Sequence, residues 1–545
     1  MSRPLPEWLK TAVFYEIYPQ SFYDSNGDGI GDFQGIIEKL DYIRSLGCNA
    51  LWINPCFDSP FKDAGYDVRD YMKTAARYGT NEDLYRLFDE AHARGIRVLL
   101  DLVPGHTSEE HAWFRESGRA APNEYSGRYI WTDYWIRGIA GYPYIGGECE
   151  RNGVYMLNFF KCQPALNYGF LNPKENWQNG TEDAAPLATR EAVKDIMRFW
   201  LSHGCDGFRV DMAASLVKND DEAKSGTCRV WRDLLTVLED YPEAAVVAEW
   251  NDQERAICSA GFDMDFYLDW PGNGYNSLMR DYESRQDGED HSYFRKDGKG
   301  DIGRFLADYL PKYEASRGSG YVSMLTCNHD TPRPSYRLDM RELKLAYAFL
   351  LTMPGVPFIY YGDEIGMRYL AGLPTKEGGY TRTGSRTPMQ WDKSPNLGFS
   401  KGLSADLYLP VDAAEDAPTV EAQEQDPESL LNLVRRLTAL RTQEEDLQAD
   451  TPFEVLYDEN GGRPFVYRRG QIVIAVNPAG REVALPLSML TEKLRAAAGT
   501  SSETSYCFGE SRILLQIGEG SVRQGQLRLG AQSFMVLGKK CFGKE

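Results

Sequence analysis

The sequence predicts an α/β fold: a (β/α)8 TIM barrel with a small domain inserted after the third strand and an antiparallel β-sandwich at the C-terminal end. Three observations predict it. Short apolar runs alternate with amphipathic helical segments along most of the chain, the pattern of a parallel sheet. One stretch, residues 105–185, breaks that rhythm with aromatics, Gly and Asn, and is far longer than an ordinary βα loop. After about Asp450 the text becomes short alternating segments separated by turn residues.

The first unit runs from an apolar strand at residues 13–17 into Ile36, Ile37, Leu40, Ile43 and Leu46 at helical spacing, stopped by Gly47. Residues 50–53 give a second strand. Thr80 with Asp83 reads as a capping box for a helix carrying Leu84, Leu87, Phe88 and Ala91, and residues 96–102 follow as strand three. Past the insertion, Val193, Ile196, Met197 and Trp200 define a helix. Strands are expected at 205–210, 244–248, 264–268, 321–326 and 357–361, and a closing helix at 430–440. The barrel is therefore predicted in two parts, 1–104 and 186–449. In residues 450–545, segments 453–457, 465–468 and 471–476 flank the turn Asn460-Gly461-Gly462 and predict hairpins.

Composition narrows the function. The 545 residues are 42% hydrophobic and 26% charged, which suits a globular chain with a large core. A net charge of -20 opposes binding to a phosphate backbone or an anionic membrane, so nucleic acid and membrane partners are excluded and a neutral ligand fits best. Neither a signal-peptide core nor an apolar run of about 20 residues is found, which predicts a cytoplasmic protein. The 10 cysteines form no C-x-x-C pair and read as reduced, packed thiols. Oligomeric state, monomer or homo-oligomer, leaves no trace in the sequence.

The informative feature is where acids fall relative to strands. Asp211, Glu249 and Asp330 each follow a predicted strand. In a barrel those exits converge on one mouth, where mutual repulsion raises the pKa of at least one acid. A single carboxylate at a barrel mouth can do no more than brace a loop; three suggest acid and base roles. Arg209, two residues before Asp211 and on the same strand face, is expected to keep that carboxylate ionised. Glu249, between Ala248 and Trp250, is expected to lie against an aromatic surface that disfavours its charge, making it the proton donor.

These residues resemble the α-amylase family, glycoside hydrolase family 13, through Asp101-Leu102-Val103-Pro104-Gly105-His106, Gly207-Phe208-Arg209-Val210-Asp211, Ala248-Glu249-Trp250 and Asn328-His329-Asp330. The resemblance implies a retaining mechanism: Asp211 as nucleophile, Glu249 as general acid/base, and Asp330 gripping sugar hydroxyls in the transition state. It implies that His106, His329 and Arg209 complete the first subsite. Asp63-Ala64-Gly65-Tyr66-Asp67 and the segment from Arg382 to Trp391 look like the oligosaccharide-processing branch of oligo-1,6-glucosidases, α-glucosidases and trehalose synthases. By that likeness Tyr66 stacks on the terminal glucose, Asp63 binds its far hydroxyls, and Arg386 pairs with Asp63 to close the pocket for exo attack. The implied substrate is a small oligosaccharide, with hydrolysis or glucosyl transfer as the outcome and no organic cofactor. A non-catalytic barrel of the transporter-subunit kind is the rival from another class; such chains lose the catalytic carboxylates.

Asp24, Asn26, Asp28, Ile30 and Asp32 place oxygen ligands on alternate residues with Gly29 sixth, which suits a hard cation, although Gly35 at the twelfth position excludes an EF-hand. Related glucosidases carry such a loop with structural Ca2+ or Mg2+; the bare alternative is a metal-free Asx turn. Three departures stand out. Gly105 replaces the family's Asn, so a hydrogen bond to the site is missing or supplied elsewhere. Ala165 replaces Asp in the branch's Q-P-D-L-N, and Met212 occupies a position tied to linkage preference. Trp131, Trp135 and Tyr142 either line the cleft or form the inserted domain's own core.

Overall fold

A computed structural model describes residues 3–133, 141–282, 288–297, 299–498, 508 and 511–539. Its centre is an eight-stranded parallel sheet: β1 (Phe14–Ile17), β2 (Ala50–Ile53), β3 (Arg97–Leu102), β4 (Gly207–Val210), β5 (Ala245–Ala248), β6 (Met264–Phe266), β7 (Tyr321–Ser323) and β8 (Phe358–Tyr360). Neighbours follow chain order, and β8 pairs back onto β1 with Phe14 opposite Phe358. A parallel bridge between Leu325 and Phe358 closes the ring just beyond β7. All eight expected strands are present.

Strand periodicity divides the side chains between two cores. One set, including Phe14, Ala50, Leu99, Ala245, Val247, Met264, Phe266 and Phe358, fills the barrel interior. The other, including Tyr15, Leu51, Val98, Phe208, Val246, Val322 and Ile359, packs outward under the helices. Gly207 opens β4 at φ +140°, where a Cβ would meet the Ala245 carbonyl oxygen at 1.8 Å, so a side chain there would part β4 from β5. Further along each strand the inward positions become polar, and Glu16, Asn54, Asp101, Arg209, Asp211 and Glu249 fall on the interior parity.

The helices form where their caps and apolar faces dictate. Thr80 and Asp83 make the reciprocal capping box of Asn81–Ala93, whose Leu84, Leu87, Phe88 and Ala91 are buried. Ala184–Ser202 presents Val193, Ile196, Met197 and Trp200 inward, and Leu430–Gln443 starts from the Ser429 side chain. The first expected helix is instead two short ones, Phe33–Glu38 and Leu40–Ser45, parted at Lys39. Lys39 Nζ lies over the rings of Tyr23 and Trp391, at 4.1 and 4.2 Å, a tertiary contact that sequence periodicity does not encode.

Between β3 and β4 the insertion contains a three-stranded antiparallel sheet. Trp131 packs there against Phe114 and Tyr155, and Tyr142 against the cluster of Ile130, Met156, Ala165 and Phe170, so these two belong to the insertion's own packing; the Tyr142 hydroxyl also accepts from the Asn219 amide beyond β4. Trp135 lies outside the described residues. After the closing helix come a five-stranded and a three-stranded antiparallel sheet. The sequence reading omits a helix here, Leu487–Ala498, whose Leu490 and Leu494 cover that core. Cys48, Cys56, Cys205 and Cys327 are free and buried. No helix among the described residues is long and apolar enough to cross a membrane.

Candidate active site

At the C-terminal rim of the barrel one guanidinium organises three acids. Arg209, on β4 and almost fully buried, donates from Nη1 to both oxygens of Asp101 at 2.8 and 3.0 Å and to Asp211 Oδ1 at 3.2 Å. Its Nη2 lies 3.0 Å from Glu249 Oε2. Asp101 ends β3, Asp211 follows β4 and Glu249 follows β5, so adjacent strands deliver three carboxylates to one cation. The backbone continues the ladder at this point: Asp211 N–H donates to the Leu102 carbonyl and Glu249 N–H to that of Val210.

One cation shared by three acids cannot keep them all at ordinary acidity. Burial, then the charge of Glu249, pushes the Asp211 carboxyl well above its usual range, against the pull of Arg209. This corrects the expectation that Arg209 alone would hold Asp211 ionised. Burial likewise lifts Asp101, to about 6. The surroundings of Glu249 are also not those expected: its Oε2 accepts the Met212 N–H at 2.8 Å and faces Arg209, while Trp250 is packed into the core. Glu249 thus has a polar setting, created because Met212 adopts a left-handed backbone (φ +43°) that turns its amide toward the acid.

Asp330 arrives from the loop after β7. Arg382 Nη1 and Arg386 Nη2 both donate to its Oδ1 at 2.9 Å, and His329 Nε2 is 3.3 Å from its Oδ2. Burial works to raise this carboxyl, but His329 and the guanidinium groups of Arg382, Arg386 and Arg209 overcome it and hold it below the usual range. Arg386 therefore braces Asp330, and its Nε also donates to the His329 carbonyl. The expected Arg386–Asp63 pair is not formed. Arg382 takes that place: its Nη2 is 3.4 Å from Asp63 Oδ1, while Gln163 donates to Asp63 Oδ2 at 2.8 Å. Two arginines four residues apart in an irregular loop are interchangeable to a sequence reading, since only the path of the loop decides which reaches which acid. Burial raises Asp63 to about 6 despite Arg382. Replacing Arg382 by Ala removes one charged hydrogen bond from each acid, and the expected result is a rise in KM of about tenfold with a smaller change in kcat. Steady-state kinetics on short glucosides checks it.

Tyr66 is nearly buried. Its hydroxyl donates to Asp101 Oδ2 at 2.9 Å and lies 2.8 Å from His329 Nε2, and its ring stacks on that of His329. Asp67 holds this loop by accepting the N–H groups of Lys62 and Asp63 at 3.0 Å each. His106 Nε2 contacts the Tyr66 carbonyl at 3.2 Å, and burial lowers its pKa to about 4, leaving the ring neutral.

The Gly105 departure finds its counterpart in the inserted domain. Asn158 Nδ2 donates to His106 Nδ1 at 3.1 Å and would lie 2.7 Å from a Cβ at position 105. Asn158 thus occupies the space vacated by the missing side chain and supplies an amide to the histidine. Lys218 Nζ, buried and lowered to about 8 by that burial, donates to Asn158 Oδ1 at 3.2 Å and fixes which way the amide faces. Sequence reasoning passed over Asn158, Lys218, Asp101 and Glu16. Strand parity would have found Asp101 and Glu16; nothing local marks the other two.

A cleft of about 570 Å³ opens between Glu249, Asp330, Trp270, Tyr275, Tyr336 and Tyr369, with Trp270 and Tyr336 exposed. The Asp24–Asp32 loop is a run of Asx turns. Asp24 Oδ1 accepts from Gly27 at 2.7 Å, Asn26 Oδ1 from Asp28 and Asp28 Oδ1 from Ile30 at 2.9 Å each, and Asp32 caps the following helix through Gly35. Among the described residues no three Asp, Glu, His or Cys side chains gather as a metal cage.

Comparison with known proteins agrees with this geometry. The α-amylase catalytic-domain model matches residues 16–450. The trehalose synthase/amylase TreS of Mycolicibacterium smegmatis is 33% identical over 508 residues, covering 83% of this chain and 79% of the relative. An oligo-1,6-glucosidase of Parageobacillus thermoglucosidasius is 32% identical over 518 residues, covering 85% and 87%. Among solved structures, an isomaltulose synthase of Erwinia rhapontici bound to D-glucose superposes with a TM-score of 0.77 at 25% identity, covering 98% of this chain and 100% of that one. With eight parallel strands closed into a barrel, three acids on one arginine and a family model spanning most of its length, the chain belongs to the α-amylase family of glycoside hydrolases.

Proposed function

We propose that the protein is a retaining, exo-acting α-glucosidase for short α-glucosides, with Asp211 as nucleophile, Glu249 as general acid/base and Asp330 as the carboxylate that grips the bound sugar. The observation that supports this reading is the bridging of Asp211 and Glu249 by one guanidinium, which keeps the two carboxyl groups close enough to serve one sugar as nucleophile and proton donor. The Asp63–Arg382–Asp330 network supports exo attack, since a bridge of this kind is what would wall off one end of the pocket. Asp211 and Glu249 titrate as a pair, and in the reactive form the proton lies on Glu249: in the first half-reaction ionised Asp211 attacks the anomeric carbon, the glycosidic C–O bond breaks, and Glu249 gives that proton to the departing oxygen. In the second, Glu249 takes a proton from water or a sugar hydroxyl, and that oxygen displaces Asp211. His106, His329 and Arg209 border the first subsite. Incubating the enzyme with 4-nitrophenyl α-glucoside, whose only sugar product is the transferred glucose, and following the anomers by NMR tests this: α-glucose must appear first, and initial release of β-glucose overturns it.

Glucosyl transfer or isomerisation is the second reading, favoured by the exposed Trp270 and Tyr336 at the cleft mouth, flat apolar faces suited to an acceptor sugar. Disaccharide formation that rises with added acceptor would establish it.

The Asp24–Asp32 loop is proposed to take a calcium or magnesium ion through oxygens of Asp24, Asn26, Asp28 and Asp32 and the Ile30 carbonyl. These donors are all hard oxygens presented by successive Asx turns, which suits such an ion. The expected result is a Tm raised by CaCl2 and lowered by EDTA, with neither response in Asp28→Ala; a parent Tm indifferent to both refutes it.

A further inference from the structure

A buried pair behind the third carboxylate carries a proton whose position the hydrogen bonds dictate. Glu16, at the interior end of β1, and His329 are fully buried, and Glu16 Oε1 lies 2.8 Å from His329 Nδ1. On the other side of the ring, Nε2 faces the Tyr66 oxygen at 2.8 Å and Asp330 Oδ2 at 3.3 Å. The Tyr66 proton is directed to Asp101, the tyrosine oxygen accepts from Arg209 Nη1 at 3.3 Å and keeps a second lone pair toward Nε2, and the Asp330 carboxylate can only accept. Nε2 must therefore bear hydrogen. A short contact between Glu16 and Nδ1 then needs one proton of its own, because a bare carboxylate against a bare nitrogen lone pair at 2.8 Å would repel. Asn54 Nδ2, which can only donate, lies 3.0 Å from Nδ1 and likewise makes that nitrogen an acceptor, consistent with hydrogen on Nε2 and with the shared proton resting toward Glu16.

We infer that Glu16 is a positioning residue that shares a single proton with His329 Nδ1, and that this proton keeps the opposite N–H of the ring aimed at Asp330 and Tyr66. The proton moves along the Glu16–His329 contact without leaving it, so the pair stays neutral whether it is written as carboxylic acid with imidazole or as carboxylate with imidazolium. The charged groups around the pair are Arg209 on β4, Arg382 and Arg386 from the loop above, and Asp330 itself, with Asp101 reached through Tyr66. Tyr18 and Tyr360, both buried, flank it as neutral rings. Burial raises Glu16 far above the ordinary carboxylate range and lowers His329 far below its own, so the acid-with-imidazole form dominates. When strong alkali removes the shared proton, a carboxylate faces the Nδ1 lone pair. The ring then relieves the repulsion by moving its remaining hydrogen from Nε2 to Nδ1, and the support of Asp330 is lost.

This inference rests on the proposed glucosidase reading only for its kinetic arm. The chain has 6 histidines, few enough for their ring nitrogens to be resolved by 15N NMR, with the His329 signals assigned by their loss in His329→Asn. In the parent, His329 is expected with hydrogen on Nε2 at neutral pH and on Nδ1 at alkaline pH. In Glu16→Gln the amide donates to Nδ1 at every pH, so the ring keeps its Nε2–H and the alkaline fall in kcat moves to higher pH while neutral activity is largely kept. Glu16→Ala, which leaves Nδ1 held by Asn54 alone, is expected to lower kcat roughly a hundred-fold with KM moved much less. A parent His329 bare at Nε2 at neutral pH overturns the proposal, as does a Glu16→Gln protein whose tautomer and alkaline limb match the parent's. The parent spectrum alone decides the matter if the variants fail to fold. Absent glucosidase activity with the expected tautomers would count against the function and leave the proton pair standing.

Discussion

Asp211→Asn is expected to lower kcat by about 10⁴-fold or more, since an amide cannot form the glycosyl ester, while leaving the folded protein at least as stable as the parent. The second half follows from electrostatics. Burial and the neighbouring Glu249 raise the Asp211 carboxyl in the folded state. An acid raised in this way favours the fold fully below its unfolded-state pKa, and that contribution is lost as pH rises through the folded-state value. Toward neutral and alkaline pH the native carboxyl therefore works against folding, whereas the amide carries no such charge. Thermal melts from acid to alkaline pH, set beside the kinetics, check both halves. An Asp211→Asn protein that keeps turnover refutes the nucleophile assignment, and a lower Tm at neutral pH refutes the electrostatic account.

Glu249→Gln should cost about 10²- to 10⁴-fold on natural disaccharides, the range for a lost general acid, and much less on aryl glucosides whose leaving group departs without a proton. The substitution keeps an oxygen able to accept the Met212 N–H that Glu249 accepts at 2.8 Å, so the local backbone has reason to persist. Near-UV circular dichroism of the variant, matched to the parent's, checks this. Equal losses on activated and natural substrates would remove Glu249 from the acid role. The contrast is informative because the two acids share Arg209: the first variant removes the attacking group for every substrate, the second only the proton for a poor leaving group.

Asp63 shows how far local pattern reaches. Its loop is held by Asp67 accepting two backbone N–H groups, a short-range arrangement visible in the D-A-G-Y-D spacing. Its partner is not local: Arg382 lies more than three hundred residues away, and choosing it over Arg386 depends on how the loop after β8 folds back over the cleft. The Gly105 and Asn158 exchange has the same character. The sequence shows a missing amide at one position, and only the approach of the inserted domain to His106 shows where another enters.

Alternating strands and helices, counted along the chain, were enough to determine the barrel, because each element's period expresses which of its faces is buried. The same count put Asp211, Glu249 and Asp330 at strand exits. Tertiary structure alone decided the partners and charge states: Arg209 shared among three acids, Asp211 pushed up, Asp330 held down, and Glu16 set behind His329. The reason is physical. Periodicity is a one-dimensional record of burial, whereas a hydrogen bond or a pKa depends on distances of a few ångströms between residues hundreds of positions apart, and those distances exist only once the ring has closed.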